Sequence, residues 1–119
     1  MLPNNLDYFV AESAIEIASS KADKDKKING VQKAISILSS QGLFAMFLWS
    51  YAKTDYNFVA DKFASVFKNS DLINFSECED KKQVLDKLKY KLNNLVEIRF
   101  LEDISMKILI YARHYLKSL

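Results

Sequence analysis

The chain has 119 residues, which is enough for one domain, residues 1–119, and too few for two ordinary ones. It contains only two glycines and one proline, and this scarcity argues against a sheet protein, which uses those residues in its turns. Its single cysteine excludes an internal disulfide, and a net charge of +2 from seventeen basic and fifteen acidic side chains does not by itself select a class of partner.

Apolar residues recur with the 3.6-residue period of an α-helix along most of the chain, and no segment shows a convincing strand alternation. We therefore predict an all-α fold, a compact bundle of about six helices around a central apolar helix at residues 43–53. The other helices are predicted at residues 5–20, at residues 27–40, after Asp55, after Asp80 and at residues 97–117, with an irregular stretch at residues 69–79.

The second and third helices are predicted to meet at Gly42. Glycine readily adopts the positive φ angle found at a helix C-terminus, so it should end the second helix. The third helix, Leu-Phe-Ala-Met-Phe-Leu-Trp-Ser-Tyr-Ala, is apolar on every side, which indicates that other helices surround it. We expect both Phe47 and Leu48 to be almost fully buried.

Capping residues and apolar positions define the remaining helices. Asn4 or Asn5 is predicted to cap the first helix, and Asp55 the fourth. Asp80 and Gln83 have the spacing of a capping box that opens the fifth helix. The inward-facing residues are predicted to be Val84, Leu85, Leu88, Leu92 and Leu95 around the fifth helix, and Leu101, Ile104, Ile108, Tyr111 and Tyr115 in the last.

The residues needed for catalysis or metal binding are scarce. The chain has one histidine and one cysteine, too few for a structural zinc site, which takes about four such ligands. Cys78 and His114 could form a nucleophile–base pair, but no third group is apparent. Glu77, Glu79 and Asp80 are crowded like a cation site, yet helix capping and solvation explain them better. We predict no enzyme activity, no metal and no cofactor.

Basic residues are concentrated on the predicted outer faces of two helices. The last helix carries one group, within about a third of a turn on the side opposite its core: Lys107, Arg113, His114 and Lys117. At the second helix, Lys26 and Lys33 lie opposite the apolar face. Evenly spaced cations suit RNA phosphates, so these are the candidate nucleic-acid-binding residues, and ordinary solvation is the alternative.

Two apolar residues, Ile37 and Ile110, fall on the same basic faces. Single exposed apolar residues are common on protein surfaces. Their position on otherwise basic faces makes both of them candidate contacts with a neighbouring protein subunit. The alternative is that each packs under a loop or a lysine stem.

The sequence predicts a cytoplasmic location and no membrane partner. The first apolar residues, Leu6 to Val10, are interrupted by Asp7 and lack the basic lead-in of a secretory signal. The longest apolar stretch, residues 43–52, is far shorter than the roughly 20 residues of a membrane span. A lone cysteine, Cys78, also fits a reducing compartment.

The run from Val31 to Tyr51, VQKAISILSSQGLFAMFLWSY, resembles the small helical subunit of the Cmr complex, the type III-B CRISPR RNA-targeting effector. Members of that family open with an amphipathic helix and a basic connection. A helix that ends in a polar-Gly-Leu break follows, then a very apolar helix, and finally a helix with an aromatic and basic end. The break corresponds to Gly42-Leu43 here, and the basic end to residues 107–117.

The resemblance implies a non-catalytic subunit in antiviral defence. Such a subunit would stack beside the filament that holds the crRNA, and copies of it would line the groove that receives the target RNA. Its partners would be the other effector subunits, the crRNA and the target RNA. Weak self-association of the chain is also open, but it does not follow from the resemblance. Two alternatives stay open, namely the small subunit of a related effector such as the type III-A complex, and a helical protein–protein adaptor that does not bind nucleic acid.

Overall fold

The described part of the chain folds into six α-helices and one short 3₁₀ turn. The computed structural model describes residues 6–68 and 70–119, and no β-strand occurs within these ranges. The helices are α1 Leu6–Ala18, α2 Lys24–Gln41, α3 Leu43–Ala52, α4 Asn57–Val66, α5 Lys81–Lys91 and α6 Leu95–Ser118, with the 3₁₀ turn Thr54–Tyr56 between α3 and α4. The predicted all-α fold is confirmed. The predicted N-cap of the first helix, Asn4 or Asn5, lies outside the described residues.

Aspartate side chains set the starts of α2 and α5. The Asp23 carboxylate accepts a hydrogen bond from the Lys26 backbone N–H at 2.8 Å. This cap places the start of α2 at Lys24, three residues before the approximate start predicted at residue 27. The predicted cap of α5 is confirmed, because Asp80 accepts a hydrogen bond from the Gln83 backbone N–H at 2.9 Å.

The break between α2 and α3 occurs at Gly42, as predicted. Its φ is 95° and its ψ is 175°, a combination that is essentially restricted to glycine. The Gly42 N–H donates to the Leu38 carbonyl at 3.1 Å, which ends α2. The Leu43 N–H, at the start of α3, donates to the Glu102 carboxylate at 2.9 Å. Glu102 therefore links α6 to α3 and is not a freely solvated acid.

The segment between α3 and α4 is organised by a buried serine. Ser50 is fully buried, and its hydroxyl donates to the Tyr56 carbonyl at 2.7 Å and accepts from the Ala60 N–H at 2.9 Å. The chain forms the 3₁₀ turn first and α4 begins only at Asn57. The prediction that Asp55 caps α4 was wrong, because Asp55 lies inside that turn.

An aromatic cluster centred on Phe47 joins two helices, α3 and α4, and the loop before α5. Phe47 is completely buried, whereas Leu48 is 45% exposed, so the prediction for Leu48 was wrong. The helix α3 packs against α2, α4 and α5, and these neighbours leave one of its sides in solvent. The ring centroids of Phe47 lie 6.0–6.3 Å from those of Tyr51, Phe63 and Phe75.

The helix α6 is the longest element and packs against both α1 and α2. The Asn94 side chain accepts a hydrogen bond from the Glu97 N–H at 3.0 Å, so α6 begins at Leu95. Its buried face comprises Ile98, Leu101, Ile104, Ser105, Ile108, Leu109, Ala112 and Leu116. Tyr111 and Tyr115 are 44% and 37% exposed, so assigning them to the core was wrong. The small Ser105 and Ala112 take the inward positions and allow neighbouring helices to approach closely.

The region around α5 differs from the prediction in two ways. Leu92 and Leu95 are exposed instead of facing inward, because α5 ends at Lys91 and the chain turns before α6. The preceding loop contributes Ile73 and Phe75 to the core. The loop is therefore anchored to the core although most of its residues are polar.

The six helices form one compact body. The radius of gyration is 13.1 Å, close to the value of about 13 Å for a globular chain of this length. Within residues 6–68 and 70–119, no helix has both the length and the apolar character needed to cross a membrane.

Candidate nucleic-acid interface

The outward side of α6 carries three of the predicted basic residues, Lys107, His114 and Lys117, which we call the α6 basic stripe. They lie within about 80° of one another around the helix axis, and all three are exposed. None of them forms an ion pair within the described ranges. Asp103 is exposed one turn earlier and makes no ion pair with Lys107. The stripe is therefore open to an anionic partner.

Arg113 does not belong to this exposed stripe. It is half-buried, and its Nε atom is buried with no hydrogen-bond partner among the described residues. Arg113 is partly buried because it lies on the same side of α6 as Leu109, four residues earlier, and Leu116, three residues later. Both leucines are buried in the core. The expectation that Arg113 faces away from the core was wrong, and a substitution there would disturb packing as well as charge.

Lys26 and Lys33 both contact residues of the 3₁₀ turn. The Lys26 ammonium lies 3.4 Å from the Asp55 carboxylate. The Lys33 ammonium lies 4.9 Å from the centre of the Tyr56 ring, and the Trp49 ring stacks on Tyr56 with centroids 5.6 Å apart. Both lysines thus have partners within the chain. Lys26 and Lys33 lie beside the 3₁₀ turn, whereas the α6 basic stripe lies on the outward side of α6. The basic residues of α2 and those of α6 therefore do not form one surface.

The candidate protein contacts, Ile37 and Ile110, are both half-buried. Ile37 packs against the hydrophobic core, so contacts within the chain account for its position on a basic face. Neither residue belongs to the strongly exposed apolar side chains of the molecule. A role of these two residues in binding another subunit stays a prediction.

Sequence reasoning missed an apolar groove between α1 and α6, which we call the α1–α6 groove. It has a volume of about 370 Å³ and is lined by Ala11, Ala14, Ile15, Tyr111, His114 and Tyr115. Because Tyr111 and Tyr115 were assigned to the core, the groove that they form with α1 was not anticipated. The alanine at position 112 was a signal in the sequence, because a small residue fits a close contact between helices better than the neighbouring Tyr111 does.

A second missed feature is the α5–α6 corner, an exposed apolar surface where the two helices meet. Its side chains are between 41% and 79% exposed. A cluster of large apolar side chains at one corner is more typical of a contact surface than scattered single residues are. The corner comprises Tyr90, Leu92, Leu95, Val96 and Phe100.

The two residues considered for catalysis, Cys78 and His114, lie in different grooves, whereas Glu79 and Asp80 of the acidic group line the same groove as Cys78. Cys78 lines a groove with Tyr51 and Asp61, whereas His114 lines the α1–α6 groove. Asp80 is used as the α5 cap. Within the part of the chain that the structure describes, no group of three histidine, cysteine or acidic side chains is placed to hold a metal ion.

One ionisable side chain in the Cys78 groove has a strongly shifted pKa. Burial raises the pKa of Tyr51 to about 12, and the nearby Asp61 carboxylate and Cys78 add to the shift. The Lys81 ammonium lies 5.4 Å from the centre of the same ring. A phenol with so high a pKa stays protonated at neutral pH, which fits a packing role.

The described surface therefore offers the α6 basic stripe, the α1–α6 groove beside it and the α5–α6 corner. Stripe and groove share His114, which is exposed and lines the groove. The structure thus places cations and aromatic rings side by side along one helix. In comparisons with protein-family models, curated proteins and solved structures, nothing matches this chain.

Proposed function

We propose that this chain is a non-catalytic small subunit of a type III-B CRISPR (Cmr) effector that contacts RNA phosphates through the α6 basic stripe. The observation that carries the proposal is the exposure of Lys107, His114 and Lys117 along one side of α6, without ion pairs within the described ranges. A second support is the helix break at Gly42, which falls on the polar-Gly-Leu motif of the resemblance.

The chemistry of such a contact is charge neutralisation. Lysine side chains that approach phosphates release condensed counterions, and this term supplies most sequence-independent affinity for nucleic acids. One subunit offers only a few cations, so the isolated protein should bind RNA weakly and without sequence preference. Several copies along one RNA would add their contacts through multivalency.

A matched pair of double variants tests the proposal. Lys107→Glu with Lys117→Glu removes both stripe lysines, and Lys82→Glu with Lys89→Glu makes the same charge change on exposed residues of α5. Affinity for a labelled single-stranded RNA is measured by fluorescence anisotropy over a range of salt concentrations. Arg113 is left unchanged because its Nε is buried.

The stripe variant should bind RNA more weakly. Each lost phosphate contact lowers the slope of log K against log salt by about 0.7 in magnitude, so the loss of two contacts should lower it by up to about 1.4. The α5 variant should stay close to the unmodified protein. Equal losses in both variants would indicate a diffuse charge effect. No loss in either variant would mean that the stripe is ordinary solvated surface.

A helical adaptor that never meets nucleic acid is the second candidate, and the α5–α6 corner favours it. Purification of the tagged chain from its native host, with identification of co-purifying proteins and small RNAs, separates the two candidates. The Cmr proposal expects effector subunits together with crRNA, and the identity of those subunits distinguishes the type III-B from the type III-A complex. Partner proteins without RNA would favour the adaptor.

A further inference from the structure

The α1–α6 groove places two aromatic rings beside a basic surface. Tyr111 and Tyr115 are one helical turn apart, about 6 Å along the α6 axis, and both line the groove. The opposite wall is formed by Ala11 and Ile15 of α1. Small and aliphatic residues there leave the rings accessible, which agrees with their exposure of 44% and 37%.

Two of the three α1 carboxylates face a different groove. Glu12 and Glu16 line a separate groove with Phe9 and with Ser65 of α4. The Glu16 carboxylate is also paired with the Lys62 ammonium at 3.1 Å. The third carboxylate, Asp7, is exposed one helical turn before Ala11 on the same side of α1. The three α1 residues that line the groove, Ala11, Ala14 and Ile15, are uncharged. The charged residues that border the groove on the α6 side are basic.

Rings and cations alternate along α6. Lys107 is followed by Tyr111 one turn later, by His114 and Tyr115 in the next turn, and by Lys117 after that. Around the helix axis Lys107 and His114 lie about 40° and 60° from Tyr111, whereas Lys117 lies about 160° from Tyr115. Proteins that bind single-stranded nucleic acid pair rings with nearby cations in this way, so that aromatic side chains stack on bases and the cations track the phosphates. An acidic peptide would also be attracted by the cations, but it would not need flat rings at a one-turn spacing.

Building on the proposed function, we infer that the α1–α6 groove is a base-stacking site for single-stranded RNA. Tyr111 and Tyr115 stack on unpaired bases, while Lys107 and His114, on the side of α6 next to the rings, contact the adjacent phosphates. Bases inside a duplex are already stacked on each other and cannot enter the groove. The subunit should therefore prefer single-stranded RNA to duplex RNA of the same length.

The first experiment varies the RNA and leaves the protein unmodified. Its affinity is measured for a single-stranded oligoadenylate, for an abasic ribose-phosphate chain of equal length, and for a duplex. The abasic chain should bind at least about fivefold more weakly, since stacking contributes substantially per base. Its salt dependence should be the same, because its phosphates are the same. Equal affinity for all three would overturn the inference.

The second experiment varies the rings. Tyr111→Ala with Tyr115→Ala should lower the affinity for oligoadenylate about fivefold or more without changing the salt slope, whereas the corresponding pair of phenylalanine substitutions should retain affinity. Tyr90→Ala, at the exposed ring of the α5–α6 corner, is the control and should change nothing. Thermal unfolding by circular dichroism checks that each variant is folded.

The outcomes separate this inference from the proposed function. If the alanine pair binds normally while Lys107→Glu with Lys117→Glu binds weakly, the stacking site is refuted and the phosphate contact stands. If the unmodified protein binds none of the RNAs, the stacking site and the phosphate contact are both refuted. Capture of an acidic peptide in preference to oligoadenylate would identify the groove as a protein site and overturn the inference.

Discussion

Truncating Phe47 to alanine should strongly destabilise the protein, because this side chain joins the aromatic cluster of the core. Phe47 is completely buried, and its ring lies 6.0 Å from Tyr51, 6.3 Å from Phe63 and 6.2 Å from Phe75. These partners belong to α3, α4 and the loop before α5. The cavity left by the substitution would therefore lie between elements that are distant in sequence.

The expected loss can be set against the total stability. Removing a buried phenylalanine side chain typically costs about 3–5 kcal/mol, and a domain of this kind has about 5–15 kcal/mol in all. For a chain of this length each kcal/mol shifts Tm by about 3–6 °C, so the transition should move down by roughly 10–30 °C. Thermal and urea unfolding followed by far-UV circular dichroism measure the change.

The neighbouring residue supplies the control. Leu48 is on the same helix but 45% exposed, so Leu48→Ala should change the stability by no more than about 1 kcal/mol. Alanine also has a high helix propensity, which offsets part of the lost contact. A Phe47→Ala protein with an unchanged midpoint, or equal losses from both substitutions, would refute the assignment of these two residues to the inner and outer sides of α3.

Two further substitutions test the break before α3 and the Cys78 groove. Gly42→Ala should cost about 1–3 kcal/mol in urea unfolding, because φ is 95° and the new Cβ would lie 2.8 Å from a Glu102 carboxylate oxygen; an unchanged stability would contradict the strained geometry. Tyr51 has a folded-state pKa of about 12 against an ordinary 10.0. As the pH rises between these values the unfolded state loses a proton that the folded state keeps, so the stability falls with rising pH. After allowance for solvent screening, the stability of Tyr51→Phe should fall by about 1–2 kcal/mol less than that of the unmodified protein over this pH range. Identical curves of unfolding free energy against pH for the two proteins would argue against the raised pKa of Tyr51.

Local signals in the sequence were sufficient to predict most helix boundaries. The capping of α5 by Asp80 and the break at Gly42 depend on hydrogen bonds and φ angles within a few residues. The local amino-acid sequence is therefore enough to predict both helix ends. The exposure of Lys107, His114 and Lys117 was predictable for a related reason. Charged residues on the side of a helix opposite a strong apolar stripe have little chance of burial.

The order of residues could not show which of several apolar side chains face inward, because that depends on segments far apart in the chain. Leu48 is a large apolar residue like Phe47, yet of the two it is Phe47 that packs against rings of α4 and of the loop before α5. Tyr111 and Tyr115 fit an apolar stripe by spacing, but the approach of α1 and α2 to α6 gives the inward positions to Ser105 and Ala112.

The same dependence applies to the candidate site. The α6 basic stripe lies on one helix, and the helix period predicted its three residues but wrongly added Arg113, whose Nε is buried. The α1–α6 groove needs α1 and α6 side by side, although its walls are about a hundred residues apart in the chain. Packing between α2 and the 3₁₀ turn, which are closer in the chain, placed Lys33 over the Tyr56 ring and Lys26 beside Asp55. Helix periodicity is a local property of the sequence. A groove between two helices, and the contacts of the residues around it, exist only after the helices have packed.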